Sequence, residues 1–309
     1  MTAVRVGTRG SHLALTQTGT VADALRTATK VETELVTITT DGDRSNEPLS
    51  RAGGVGLFTG ALRDSLLAGD CDVIVHSLKD LPTAPHPDLV VAAIPRRVDA
   101  RDALCARDDL TLDTLPEGAR VGTGSPRRRA QLLARRPDLE VVDIRGNVDT
   151  RLGFVTDGTL DAVVLAAAGL ERIGRGAAVT DYLSLERWPT APGQGALAVE
   201  VRRGQEHLVR ALDHKNTRAV VESERHLLAL LEAGCSAPVG AHAFIDTDLI
   251  FLTSRVYSSD GSTILQSSHA AYWPDLDAPR EIAERAVAEL RAAGADDLVS
   301  ASHESGDTL

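Results

Sequence analysis

Aromatic side chains make up only 3% of the 309 residues, and lysine occurs three times, as Lys30, Lys79 and Lys215. So few rings leave little for unpaired bases to stack on, and a net charge of −11 opposes a nucleic-acid surface. The three cysteines, Cys71, Cys105 and Cys235, are odd in number, widely spaced and without a C-x-x-C pair, which excludes a disulfide framework and a zinc site of that type. Nine histidines without an H-E-x-x-H pattern add no metal site, and neither a G-x-G-x-x-G nor a G-x-x-x-x-G-K nucleotide motif occurs. No apolar run is long enough to cross a bilayer, and "MTAVRVGTRG" at the start has no apolar stretch of signal-peptide length. The expectation is a cytoplasmic protein that uses no metal, membrane or nucleic acid.

A hydrophobic fraction of 43% and a charged fraction of 25% are those of an ordinary globular chain, and the length suits two or three domains. The basic charge is uneven. Residues 120–151 hold eight arginines against four acids, so this stretch carries +4 and the remainder −15. A local cationic site for a small anion fits that distribution.

Two internal echoes organise the first two-thirds. "VRVGTRGS" (4–11) resembles "ARVGTGSP" (119–126), and "DVIVHSLKD" (72–80) resembles "DAVVLAAAG" (161–169). Each is a short apolar strand running into a turn, and their repetition with helices predicts two related α/β lobes. Between the echoed strands the first lobe inserts "TTDGDRSNEPLSRAGGVGLF" (39–58), either a functional lid or a linker, with Phe58 at its end. Crossovers are expected at 95–101 and 188–201, which gives one lobe from 1–95 with 196–213 and a second from 100–189. From 215 to 309 the pattern becomes a small α+β domain. It contains a helix at 217–233, strands at 240–246, 248–257 and 262–272 with a hairpin at Asp260-Gly261, a helix at 279–293, and a short polar tail.

Several residues in this frame could carry chemistry. Lys79 and Asp80 follow the apolar strand "VIVHS", at the strand end where α/β sheets gather ligands, and Asp80 there suits a general acid or the stabiliser of a cation; a solvated Lys-Asp turn is the plain alternative. "GTGSPRRRAQL" (122–132) sets arginines at a helix N-terminus against the macrodipole, which suggests that an anion offsets them; a solvated basic face is the plain alternative. Arg145 and Arg151 in "DIRGNVDTRL", Arg9 after the first strand and Arg172 in "AGLERIG" extend the theme. Guanidinium forks suit a ligand with several carboxylates. Cys235, between Gly234 and Ser236 in "LLEAGCSAPVGAHA", occupies an open corner unusual for a structural thiol, whereas Cys71 and Cys105 lie in strand-like runs and read as core.

With "GTRGSHLAL", "GGVGLF", "VHSLKDLP", "GTGSPRR", "RGNVDTRL", "PGQGALAVE" and "GCSAPVG" in order, the chain resembles the hydroxymethylbilane synthase (porphobilinogen deaminase) family. The resemblance implies two lobes of the type II periplasmic-binding-protein kind plus a small C-terminal domain. It implies a monomer that condenses four porphobilinogen molecules, with loss of ammonia, onto a dipyrromethane cofactor, and then releases the linear tetrapyrrole by hydrolysis. It makes Cys235 the thioether anchor and Asp80 the catalytic acid. Lys79, Ser125, Arg127, Arg128, Arg145 and Gln194 would hold the cofactor. Arg9, Ser11, Thr123, Arg151, Arg172 and the lid residue Phe58 would hold substrate. Arg129 does not match the motif and reads as surface. Val55 stands where the family's lid usually has lysine, with Arg51 nearby, and Pro126 stands where an apolar residue is common but fits the first helical turn. The competing expectation is a non-catalytic two-lobed binding protein for a polycarboxylate, which would need neither Asp80 nor Cys235.

Overall fold

A computed structural model describes residues 3–39, 59–233 and 237–304. Phe58, Arg51, Val55 and Cys235 lie outside the described residues. The chain divides into two compact units, Met1–Val98 with Gly195–Ala219, and Asp99–Gln194 with Val220–Leu309.

The first unit is built on β1 (Val4–Arg9), β2 (Thr33–Ile38), β3 (Val73–Ser77), β4 (Leu89–Ala93) and β10 (Leu197–Arg202). They form one sheet in the order β2-β1-β3-β10-β4, with β1 parallel to both β2 and β3, and β10 antiparallel to β3 and β4. Val6, Val73 and Val199 pack against Val21 and Leu25 of the helix His12–Thr29 on one face. Ile74 packs with Leu62 and Leu66 of the helix Gly60–Ala68 on the other. Burial on both faces explains why the inner strands β3 and β10 read as largely apolar runs, whereas the edge strand β2 mixes polar with apolar residues. Glu200 is the buried charge in β10. Burial alone would raise its pKa; His76, then Arg63, outweigh that and hold it below the usual carboxylate range. Arg63 grips it with Nε at 3.0 Å and Nη2 at 2.8 Å.

The second unit repeats the plan. Strands β5 (Asp102–Ala106), β6 (Arg120–Gly122), β7 (Glu140–Val142), β8 (Ala162–Ala166) and β9 (Asp181–Tyr182) lie in the order β7-β6-β8-β5-β9. β6 is parallel to β7 and β8, whereas β5 is antiparallel to β8. The echoed segments take equivalent places: β1 corresponds to β6, β2 to β7, β3 to β8, and the late strand β10 to β5. The two sheets thus share one strand order, and the two related α/β lobes that the sequence led one to expect are present. Cys105 and Cys71 are both buried core residues, and burial pushes the Cys105 thiol up to about 12.

Also in the second unit, β11 (Val239–Asp246), β12 (Leu249–Tyr257) and β13 (Ile264–Tyr272) form an antiparallel meander, with the helix Ala278–Ala292 packed on β12 and β13. The helix before it runs Lys215–Leu230. The C-terminal stretch expected as a short tail instead begins with a further helix, Ala295–Glu304. Gly294 at φ +99 turns the chain, Ala295 and Val299 are buried, and Asp296 and Asp297 complement the N-terminal end of the helix dipole.

Gly240 on β11 lets this meander close onto Pro189: a β-carbon there would stand 2.5 Å from the Pro189 carbonyl oxygen. Gly240→Ala is expected to cost about 1–3 kcal/mol, the usual penalty for overpacking. Urea denaturation checks this, through a lowered midpoint with an unchanged slope.

Candidate functional site

Open α/β sheets gather ligands at the carboxyl ends of their parallel strands, and the predicted residues collect there in each unit. Arg9 ends β1, and Ser11 follows as the N-cap of the helix His12–Thr29, its hydroxyl accepting from the Ala14 N–H at 3.3 Å. β3 ends at Ser77 and passes into a 3-10 turn, Leu78–Asp80. Leu78 and Leu81 are buried, and the Leu78 N–H donates to Ala196 O at 3.0 Å, while Asp80 is exposed. Gln17 reaches from its helix to the Ser77 hydroxyl at 3.2 Å and braces the same strand end. Two buried leucines thus hold the turn that carries Lys79 and Asp80 outward.

In the second unit β6, β7 and β8 are adjacent and parallel, so the segments after Gly122, Val142 and Ala166 share one edge. A β-carbon on Gly124 would meet Ile144 O at 2.6 Å, so glycine lets the turn bearing Thr123 and Ser125 lie against the segment leading to Arg145. Ser125 caps the helix Pro126–Arg135, its hydroxyl accepting from the Arg128 N–H at 3.4 Å, and Pro126 fills the first helical position. The Thr123 hydroxyl accepts from the Ser125 N–H at 3.2 Å. Arg151 Nε donates to Gly146 O at 2.9 Å, and Arg172 ends the helix Ala167–Arg172, where burial pushes its pKa down against the opposing pull of Glu171. Arg129 is exposed and donates to Val141 O, in keeping with its reading as surface.

Arg127 and Arg128 are not a solvated face: they are 4% and 5% exposed, and both turn onto the carboxylate of Asp102, the first residue of β5. Arg127 Nη2 donates to Oδ2 at 2.9 Å; Arg128 donates to Oδ1 through Nη2 at 2.6 Å and Nε at 3.1 Å. Gln194 Nε2 adds a bond to Oδ1 and Trp188 Nε1 one to Oδ2, each 2.8 Å. Gln194 also donates to Ala100 O at 2.9 Å. The anion expected to offset arginines at this helix start is therefore, in part, the protein's own. Burial alone would raise the Asp102 pKa; the two guanidinium charges, then the bonds from Arg128 and Gln194, hold it far below the usual carboxylate range. Two cations against one anion leave the buried cluster at +1, and Arg127 Nε has no hydrogen-bond partner among the described residues. A further carboxylate matches that donor set.

Asp102, Trp188 and Gln131 escaped the sequence reading. The available signal was an ionisable residue opening the apolar strand "DALCA", but no spacing joins it to Arg127, 25 residues away. Among the described residues no group of three or more His, Cys, Asp or Glu side chains is placed to hold a metal ion, and no helix is long and apolar enough to cross a membrane.

Asp102→Asn keeps the shape but leaves two buried guanidinium groups facing an amide. It is expected to destabilise the protein by about 3 kcal/mol. The sign with pH follows from the depressed pKa: the stabilisation is complete above the unfolded carboxyl value, about 4, and fades as pH falls below it. Wild-type and variant denaturation curves should therefore differ most above pH 5 and converge toward pH 2; an equal difference at both ends contradicts the paired carboxylate.

Residues 4–210 match the family described as porphobilinogen deaminase, dipyromethane cofactor binding domain, and residues 219–292 match the porphobilinogen deaminase C-terminal domain. A porphobilinogen deaminase of Leifsonia xyli subsp. xyli is 60% identical, covering 96% of this chain and 94% of its own. Porphobilinogen deaminase 1 of Streptomyces coelicolor is 53% identical, covering 96% and 97%. Among solved structures, the periplasmic VFT2 domain of Bordetella pertussis BvgS is similar at a TM-score of 0.41 and 18% identity, over 68% of this chain and 86% of that one. With both of its domain descriptions matched in order and curated relatives aligned along nearly its full length, the chain belongs to the porphobilinogen deaminase family.

Proposed function

We propose that this chain is a hydroxymethylbilane synthase in which Cys235 anchors a dipyrromethane primer and Asp80 supplies the catalytic carboxyl. The observation that carries the reading is the arginine pair on Asp102: a buried cluster of charge +1 with a donor still open on Arg127. Such a cluster suits the acetate and propionate groups that both primer and substrate present.

When bound, the primer would supply the pyrrole carbon to which the first new ring is joined, and each later ring would join the one before it. The protein's part is to bind, orient and move protons. Each turn breaks the bond between the aminomethyl carbon of one porphobilinogen and its nitrogen, which leaves as ammonia after gaining a proton. A carbon–carbon bond to the terminal pyrrole carbon replaces it, and the proton which that carbon loses balances the one given to the amine. Asp80 donates the proton to the leaving amine, and its carboxylate then stabilises the positive charge left on the pyrrole through the ring N–H. Arg127, Arg128, Arg145, Lys79, Ser125 and Gln194 hold the primer's side chains; Arg9, Ser11, Thr123, Arg151 and Arg172 hold those of incoming substrate. Phe58 acts from the lid. In this reading the chain has three parts: one lobe at 1–95 with 196–213, a second at 100–189, and a C-terminal domain from 215 to 309. The reaction needs neither a metal ion nor a nucleic acid, and we take the enzyme to be a cytoplasmic monomer.

The test is intact mass of the denatured protein beside Cys235→Ser. A surplus of two linked pyrrole units, absent from the variant, is the expected result; a bare polypeptide that gains no mass even after incubation with porphobilinogen overturns the reading. Asp80→Asn is expected to keep the surplus mass but lose turnover by about 100-fold or more, the scale of a missing general acid. Unchanged turnover removes Asp80 from its role.

A further inference from the structure

The hydrogen bonds around Arg127 continue beyond Asp102 toward the segment that carries Cys235. Arg127 Nη1 donates to Gln131 Oε1 at 2.5 Å and to Pro189 O at 3.4 Å. A guanidinium has no acceptor, so the Gln131 amide must present its oxygen to Arg127 and its nitrogen to the other side. That nitrogen donates to Pro189 O at 2.9 Å and to the Tyr257 hydroxyl at 3.1 Å. Tyr257 ends β12, and its backbone N–H donates to Pro238 O at 3.1 Å. Pro238 stands three residues after Cys235. The path from Arg127 to that backbone is therefore Gln131, the Tyr257 side chain and one main-chain bond. Gln131 is 2% and Tyr257 1% exposed, so no solvent competes for these contacts. Every polar group of the Gln131 side chain is matched, which leaves its amide one orientation.

We propose that Gln131 and Tyr257 are positioning residues, which fix the Arg127 guanidinium relative to the backbone that follows Cys235. This rests on the reading of Cys235 as the covalent anchor and of the arginine pair as a carboxylate site. A primer held covalently at one point and by its carboxylates at another has its reacting end set by the separation of the two. Misplacement of about 1 Å at a reacting centre can lower a rate about 100-fold, so a buried link from Arg127 to the Pro238 backbone, three residues past the anchor in sequence, bears on kcat more than on binding.

Tyr257→Phe removes only the hydroxyl and leaves the ring in place. Ser267→Ala is the matched control: Ser267 is equally buried on β13 of the same sheet and donates to Glu289 at 2.6 Å, with no bond toward Arg127. Gln131→Met tests the other half of the link. The readouts on the full-length holoenzyme are kcat and KM for porphobilinogen, the fraction of chains carrying the surplus mass, and the melting midpoint. For Tyr257→Phe the proposal gives a fall in kcat of about tenfold with KM within about twofold, a lower loaded fraction, and a midpoint shift no larger than that of Ser267→Ala. Ser267→Ala keeps wild-type kcat, and the double variant Tyr257→Phe with Gln131→Met is no slower than Gln131→Met alone, because both act through one link. If Gln131→Met fails to fold, Tyr257→Phe and its control still decide. Wild-type kcat and loading in Tyr257→Phe, or losses matched by Ser267→Ala, overturn the proposal alone. Absence of the surplus mass from the wild type overturns the anchor reading, and the proposal with it.

Discussion

One buried carboxylate organises the anion site. Asp102 stands at the start of β5 and accepts from Arg127, Arg128, Gln194 and Trp188. An isolated charge in that environment would be neutralised by its own desolvation. Two guanidinium groups at hydrogen-bond distance reverse the balance and keep it ionised. The arginines in turn could not be buried side by side without it. The result is a fixed pair of forks, set by β5, the helix Pro126–Arg135 and the segment at Gln194, with a net charge of +1. A flexible surface pair would lose side-chain freedom on every binding event; this pair has lost it on folding.

The large features were legible in the sequence because they are local or periodic. The echoes "VRVGTRGS"/"ARVGTGSP" and "DVIVHSLKD"/"DAVVLAAAG" became equivalent strands of two sheets with the same order. The hairpin at Asp260-Gly261 has Gly261 at φ +74, a conformation that only glycine takes readily. The turn that carries Lys79, half-buried, and Asp80, exposed, follows from buried leucines on either side. The partners of Arg127 and Arg128 were not legible: both the family motif and the charge pattern show that two arginines want an anion, but neither shows which one. Asp102 looked like the polar edge of a strand, and only the packing of β5 beside β8 brings it to them. The extra C-terminal helix was missed for a related reason, since its stability comes from burying Ala295 and Val299 rather than from its polar sequence.

The two-lobed scaffold does not by itself decide between binding and catalysis, because such folds host both. The decision rests on particular side chains: an acid at an exposed turn after a central strand, a buried cationic cluster of net charge +1, and Cys235, three residues before Pro238 in the sequence. Only the first two fall within the described residues, and the two sit in different units.

The claim on which the anion site depends is that Asp102 is ionised and paired, and its titration is the most direct measurement. Carboxyl carbon-13 shifts recorded from pH 7 to pH 2, with the Asp102 resonance assigned by its loss in Asp102→Asn, should show no step for this residue across the ordinary carboxylate range near pH 4. A step there would mean that the guanidinium groups do not hold the carboxylate, and the preorganised arginine pair would have to be abandoned.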